Sequence, residues 1–537
     1  MVNGVALSGV ATSCDKDNFT PYYIVNFSKS KKTSDITSGS LNGSTFVYYF
    51  KSKLQPKNIY LKKVILLIKE LKTILGDTID IEFAFDDKDL YIFQARPITS
   101  TIVLKNYAKY RKSLNLNKIK SEISHLLESK KHISGDTTIL GDMPDWNPAE
   151  LIGSKPRPLA FTLFDYLITK NVWRLARKDL GYFNPEPERL MVVLGGHPYV
   201  DVRNSLNSLT PDNMKKELRE KIVNESLYFL SQNPDSHDKL EFEVATTCFS
   251  PLCDKMVPRW KDFGLAKSEI DEILTSYRKH TNHILQGNYI EKFLDQVKNL
   301  DDRRKAALNY RGVSNVSMLN FLIDDCANLG TRPFSSLARL AFIGNSFLKS
   351  FLSDGVITMN SYNNFLNSIS TVATDMSKKI ERVRMGKIEI EEYLEEYGHL
   401  RPGTWDIRSH TYAENPKIYF DMENPSNIVE SKNHVSIERF VFGDNEKLEI
   451  QKVLDSINLQ TDADNLLDFI EKSIEAREYA KFVFSRNISD ILSIITDIGK
   501  KLGFSRSDLS FIDIQTFLDC NLPKDDMDLI NLFRKKI

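Results

Sequence analysis

The sequence has no surplus of either charge: its 537 residues carry 72 Lys and Arg against 72 Asp and Glu. A nucleic-acid binder usually shows a basic excess or stripe, because neutralising phosphates supplies most of its affinity. The basic runs Lys29 to Lys32 and Arg303 to Lys305 are too isolated for that and read as solvated surface, so no nucleic-acid partner is expected. Cysteine is scarce too. The five, Cys14, Cys248, Cys253, Cys326 and Cys520, are odd in number and scattered, which excludes a disulfide framework. Cys248 and Cys253 have no second Cys or His pair beside them, as a zinc site would need. They read as reduced thiols of a cytosolic protein. Long apolar runs are missing: none approaches the roughly 20 residues that span a bilayer. The opening MVNGVALSGVATSCDKDN has no basic start followed by an apolar stretch, so it is not a signal peptide. A soluble, cytoplasmic protein without a membrane partner is expected.

What the chain does have is core-forming material, 41% apolar residues, and a length that suggests roughly three to four domains. Up to about residue 100 the pattern is mixed. PYYIVNF (21–27) and STFVYYF (44–50) read as strands, separated by a small, polar loop. NIYLKKVILLIKELKTILG (58–76) places Leu61, Val64, Ile65, Ile68 and Leu71 at helical spacing and stops at Gly76. IDIEFAF (79–85) and LYIFQARPI (90–98) read as two more strands around the turn DDKD. Beyond about residue 102 amphipathic helices dominate, a first one linking to the rest and others near 213–232, 266–298, 334–353, 360–397 and 463–502. Ser505 and Asp508 form a capping-box spacing near the end.

The hairpin DIEFAFDDKDLYIFQARPIT (80–99) groups the residues that carry chemistry. Alternate side chains of a strand share a face, so Glu82 points opposite to Ile81 and Phe83, and Gln94 and Arg96 point together. The tight turn lets Glu82 lie across from both. A carboxylate, an amide oxygen and a guanidinium on one face suit a metal–polyphosphate complex. Mg²⁺ takes oxygen ligands and keeps waters and phosphate oxygens, and Arg matches phosphate bidentately. On patterning alone a plain solvent-facing hairpin stays open, with one cross-strand Glu–Arg pair worth about 0.2–1 kcal/mol.

The same segment resembles the end of the nucleotide-binding domain in the pyruvate phosphate dikinase and phosphoenolpyruvate synthase family. That domain closes approximately as D-I-E-[WF]-A, a turn, then L-[YF]-x-[LI]-Q-x-R-P-[IV]-T. Asp80-Ile81-Glu82-Phe83-Ala84 and Gln94-Ala95-Arg96-Pro97-Ile98-Thr99 match it nearly throughout. Ser8-Gly9-Val10-Ala11-Thr12 resembles the family's S-G-V-x-F-T-x-[DN]-P segment and departs from it at Ser13-Cys14. The resemblance implies an ATP-grasp fold that binds ATP through Glu82, Gln94 and Arg96. Glu82 and Gln94 would hold Mg²⁺, and Arg96 would contact the transferring phosphate.

Two further motifs lie downstream. Asp145-Trp146-Asn147-Pro148-Ala149-Glu150 precedes Pro156-Arg157-Pro158-Leu159, and Tyr397-Gly398-His399-Leu400-Arg401-Pro402-Gly403-Thr404-Trp405-Asp406 follows much later. Gly and Pro that restrict the backbone, mixed with groups that bind anions or hydroxyls, suit loops shaping a site. They equally suit structural turns with capped helix ends. The second motif resembles H-R-G-P-G-E-x-D in the substrate domain of rifampicin phosphotransferases, with Arg401-Pro402-Gly403 and Thr404 departing from it. Together the two are similar to phosphoenolpyruvate-synthase-like proteins that carry D-W-N-P-A-E and G-H-L-R-P-G-T-[YW]-D-I. The resemblance puts Arg157, His399, Arg401 and Asp406 on the acceptor side, with His399 and Arg401 as catalytic candidates. His399 reads either as a general base or as a hydrogen-bonded structural histidine.

Family members of this kind pass phosphate through a histidine in a motif like G-G-x-x-[ST]-H. None of the nine histidines fits. Gly195-Gly196-His197 comes nearest, but Pro198 follows in what reads as a strand and turn. The resemblance also begins well inside the nucleotide-binding domain, so the chain is expected to be truncated at both ends.

The expected fold class is α+β: the C-terminal part of an ATP-grasp domain (1–100), a helical linker (101–140), a mainly helical substrate domain (141–430) and a C-terminal helical region (431–537). The expected activity is ATP-dependent phosphotransfer, through a histidine on a domain absent from this sequence or on a separate chain, to pyruvate or a small hydroxylated acceptor. A non-catalytic nucleotide-binding or scaffold protein is the competing expectation.

Overall fold

In a computed structural model the described residues are 5–15, 22–28, 44–52, 54–76, 78–86, 89–97, 116–310, 314–420, 439–518 and 526–536. The Lys29–Lys32 run, the middle of the DDKD turn, Ile98, Thr99, Cys520 and the first part of the expected linker lie outside them. The protein is mixed α+β, mostly helical, with two small antiparallel sheets. It divides into two compact units, Met1–Ser113 and Leu114–Ile537, so residues on both sides of position 430 belong to the second.

The first unit is one five-stranded sheet and one helix. Strands β1 (Leu7–Thr12), β2 (Tyr22–Ser28), β3 (Ser44–Tyr49), β4 (Ile79–Phe85) and β5 (Leu90–Pro97) lie in the order β3-β2-β1-β4-β5, each pair antiparallel. Helix α1 (Ile59–Leu75) starts at Asn58, whose side chain accepts from the Tyr60 and Leu61 amides at 2.9 and 3.3 Å. It ends at Gly76, where φ is 99°. Leu61, Val64, Ile65 and Ile68 are buried as the spacing predicts, in one core with Leu7, Val25, Ile81, Phe83 and Phe85, while Leu71 is half-buried. The hydrophobic pattern predicts two strands before α1; there are three. The extra one, β1, is the centre of the sheet. Its LSGVAT sequence is short and mixes in small residues, so alternation alone does not announce it. Gly9 is required there, since a Cβ would lie 2.1 Å from the Asn26 carbonyl oxygen on β2.

The second unit packs its helices around the 39-residue helix Ala463–Lys501, capped by Asp462, whose carboxylate accepts the Asn465 amide at 2.8 Å. One side of this helix, including Leu466, Ile470, Val483, Ile488 and Ile491, is buried in the main core with Leu337, Leu340 and Phe347 of Arg332–Ser353. The predicted segment 266–298 is two helices, Lys267–Gln286 and Tyr289–Asn309, divided at Gly287. The segment 360–397 is three, Met359–Ser368, Val372–Arg384 and Ile390–Tyr397. A small sheet of β6 (Leu140–Gly141), β7 (Met191–Leu194) and β8 (His197–Asp201) completes the unit. His197 starts β8, just after a turn in which Gly195 and Gly196 have φ of 62° and 88°. No helix among the described residues is long and apolar enough to cross a membrane.

Candidate functional site

In the first unit, Ile79, Ile81, Phe83 and Phe85 of β4 face α1. Alternation therefore puts Asp80, Glu82 and Ala84 on the opposite face. Glu82 stands directly across from Gln94, so these two side chains share that face as the sequence predicts. A bulge follows at once, with Phe83 opposite Ile92, so that β5 carries one residue more than β4 between the pairs. Arg96 stands opposite Asp80 instead of Glu82, and its guanidinium meets the Asp80 carboxylate at 3.3 Å. The Arg96 side chain keeps 60% of its exposure, while that of Asp80 keeps 9%. Asp80 was not singled out from the sequence, although it lies two residues from Glu82 and so on the same face. Among the described residues no group of three or more His, Cys, Asp or Glu is placed to hold a metal. One carboxylate with one amide oxygen suits only a cation that completes its shell with phosphate oxygens and water, as Mg²⁺ does.

In the second unit, the two downstream motifs converge with the capped turn near the C-terminus. The Leu159 amide donates to the Ser510 carbonyl at 3.1 Å, and Phe164 meets Trp405 edge-on at 5.1 Å. Arg157 lies over the Phe511 ring at 4.1 Å; burial would raise the Asp406 pKa, but Arg408, with a smaller share from the Arg157 charge, holds it below the usual range. Arg408 holds Asp406 through Nε and Nη2, at 3.0 and 2.7 Å. Arg506 holds Glu414 through both terminal nitrogens and donates to the Ile407 carbonyl at 3.3 Å. Arg401 is 7% exposed. It donates to the Ser409 carbonyl at 3.2 Å and the Ser489 hydroxyl at 3.0 Å. Burial pushes its pKa down to about 10, against an upward pull from Glu414 and a further downward push from Arg506. Arg157 and Arg401 each lie close enough to Asp406 for their charges to act on it.

His399 meets the same long helix as Arg401 but one turn earlier, since Ser485 lies four residues before Ser489. Its Nε2 is 3.0 Å from the Ser485 hydroxyl, and that hydroxyl donates to the Phe482 carbonyl at 2.7 Å, so Nε2 is the donor to Ser485. The ring stands edge-on to Phe482 at 5.0 Å. Burial, and then the Arg486 charge, push its pKa down to about 3. An imidazole this reluctant to take a proton is a poor general base near neutral pH. Of the two roles open in the sequence, this geometry supports the structural one.

The Asp145 motif builds a buried charge network. Asp145, with φ of 49°, accepts from Arg177 at 2.7 Å and from the Ser205 hydroxyl at 2.6 Å. Burial alone would raise its pKa, but Arg177 and Ser205 outweigh burial and hold it below the usual range. Glu241 bridges Arg177 and Arg339, and burial keeps its pKa raised. Cys248 and Cys253 are free, buried thiols whose pKa burial raises to about 11 and 12, which makes them unreactive.

Arg408, Glu414, Arg506, Ser485 and Ser489 escaped the sequence reasoning. Arg408 sits two residues past Asp406, near enough to be noticed. Ser489 is 88 residues from Arg401 and Arg506 is 92 from Glu414, and no local pattern links such pairs. No protein-family model matches the chain, and no curated protein matches it significantly.

Proposed function

We propose that this chain is part of an ATP-dependent phosphotransferase related to pyruvate phosphate dikinase and phosphoenolpyruvate synthase, with the ATP-grasp site in the first unit. The observation that carries the proposal is the register of the hairpin. Glu82 and Gln94 lie side by side on the sheet face away from α1, at the positions where the family resemblance puts its Mg²⁺ ligands. These two would hold the cation against the ATP phosphates. Mg²⁺ would supply charge neutralisation, and Arg96, more than half exposed, can add a second cationic contact. Asp80 holds the Arg96 guanidinium beside this pair, which limits the freedom it loses on binding. The acceptor, pyruvate or a small hydroxylated molecule, belongs with Arg157, Arg401 and Asp406 in the second unit. The phosphoryl carrier would be a histidine on a separate domain or chain.

Thermal unfolding of the full chain with and without MgATP tests this. At about 100 times its dissociation constant a ligand stabilises the folded state by about 2.7 kcal/mol, an easily seen shift. The expected result is a shift that vanishes in Glu82→Ala. No shift, or a shift that Glu82→Ala leaves intact, refutes the site.

A further inference from the structure

The sheet of the first unit has two edges, and their sequences treat pairing differently. A free edge offers unpaired N–H and C=O groups to any other strand, so natural edges carry charges, proline or bulges that block pairing. The β5 edge has all three: Arg96, Pro97 and the bulge that follows Glu82. The β3 edge has none. Its residues, Ser44–Tyr49, read STFVYY, without charge or proline, and they pair with β2 in unbroken register. Among the described residues no strand pairs with the outer side of β3.

The composition of β3 also favours pairing, because β-branched and aromatic residues gain most from cross-strand contacts. Phe46 and Tyr48 turn to the α1 side with the core, whereas Thr45, Val47 and Tyr49 share the opposite face. Val47 is 54% exposed and Tyr49 41%. A second β3 laid antiparallel along this edge keeps the α1 sides of both sheets together only when residues of like facing stand opposite each other. Centred on Val47, that register sets Val47 against its own copy, Phe46 against Tyr48 and Thr45 against Tyr49 of the second copy. No charge opposes another. The first charged residue past the strand, Lys51, falls at opposite ends of the two copies.

We propose that β3 is a docking edge for the β3 of a second copy of this chain, joining two five-stranded sheets into one continuous sheet about a twofold axis. A twofold interface requires one surface to complement itself, and an uncharged edge does so without like-charge repulsion. The outward backbone groups of β3 then exchange water for protein partners, and Val47 is covered. Glu82 and Gln94 lie on the same sheet face as Val47, so both copies present that face on one side. The pairing needs neither ATP nor Mg²⁺ and stands apart from the nucleotide site.

Sedimentation equilibrium of the full chain over a range of concentrations tests this. The expected result is a monomer–dimer equilibrium. Val47→Lys sets two like charges directly opposite each other at an exposed position and is expected to weaken association about tenfold or more. Val47→Glu is expected to do the same by itself. Mixing the two variants is expected to restore association, because the introduced charges are then opposite in sign, and mixing does not repair a folding defect. A chain that stays monomeric at every concentration overturns the proposal. So does a dimer that Val47→Lys leaves equally tight, or a mixture that associates no better than either variant alone.

Discussion

At the scale of single residues, two histidines show how burial sets chemistry. His280 is 5% exposed, near Leu180 and Tyr182, and its Nε2 is 2.9 Å from the Leu180 carbonyl. Burial pushes its pKa down to about 4, and His399 is lowered in the same direction. A histidine whose pKa is lower folded than unfolded stabilises the fold fully above the unfolded value. That contribution is lost as pH falls from about 6.5 towards 4, because the unfolded chain takes up the proton first. For His280 alone the loss amounts to roughly 3 kcal/mol. Urea unfolding at pH 7.0, 5.5 and 4.5 is expected to show this decline. His280→Gln, which keeps a donor but cannot ionise, is expected to flatten it. An unchanged slope in that variant would assign the acid sensitivity elsewhere.

Elements of the first unit were legible to different degrees. Helix α1 announces itself through its apolar spacing, Asn58 and Gly76. The hairpin β4–β5 follows from alternation around a polar turn. The central strand β1 is explained by tertiary contact: Gly9 is small because β2 passes too close for any side chain. Gly9→Ala is therefore expected to destabilise the first unit by about 1–3 kcal/mol, the usual range for forced overpacking, with the loss read as a lower thermal midpoint. A neutral Gly9→Ala would mean that β1 and β2 can separate without cost. The bulge after Glu82 is another feature no alternation rule supplies, and it sends Arg96 to Asp80 rather than to Glu82.

At the scale of the whole molecule, the two candidate sites occupy different compact units, with Glu82 and Gln94 in one and Arg401 with its partners in the other. Glu82→Ala is expected to remove the MgATP shift while changing the stability of the unliganded chain by no more than about 0.5 kcal/mol, the usual range for a surface substitution; a larger loss without ligand would point to unfolding and not to a site. The buried Asp145–Arg177–Glu241–Arg339 network belongs at this scale too, because it ties a loop, two helices and a π-helical turn together inside the second unit.

The sequence by itself determined what depends on neighbours along the chain. It set α1 with its buried stripe, the β4–β5 hairpin, the shared face of Glu82 and Gln94, and the long helix after residue 463. Helical and strand periodicities are local, so a few residues of pattern suffice to place them. Only the tertiary structure decided the central place of β1, the division of the segments after 266 and 360, the pairing of Arg96 with Asp80, and the turning of His399 onto Ser485. It also decided that the charges of Arg157 and Arg401 should both act on Asp406. These outcomes depend on segments tens to hundreds of residues apart, where burial and charge balance act through space and leave no spacing to read.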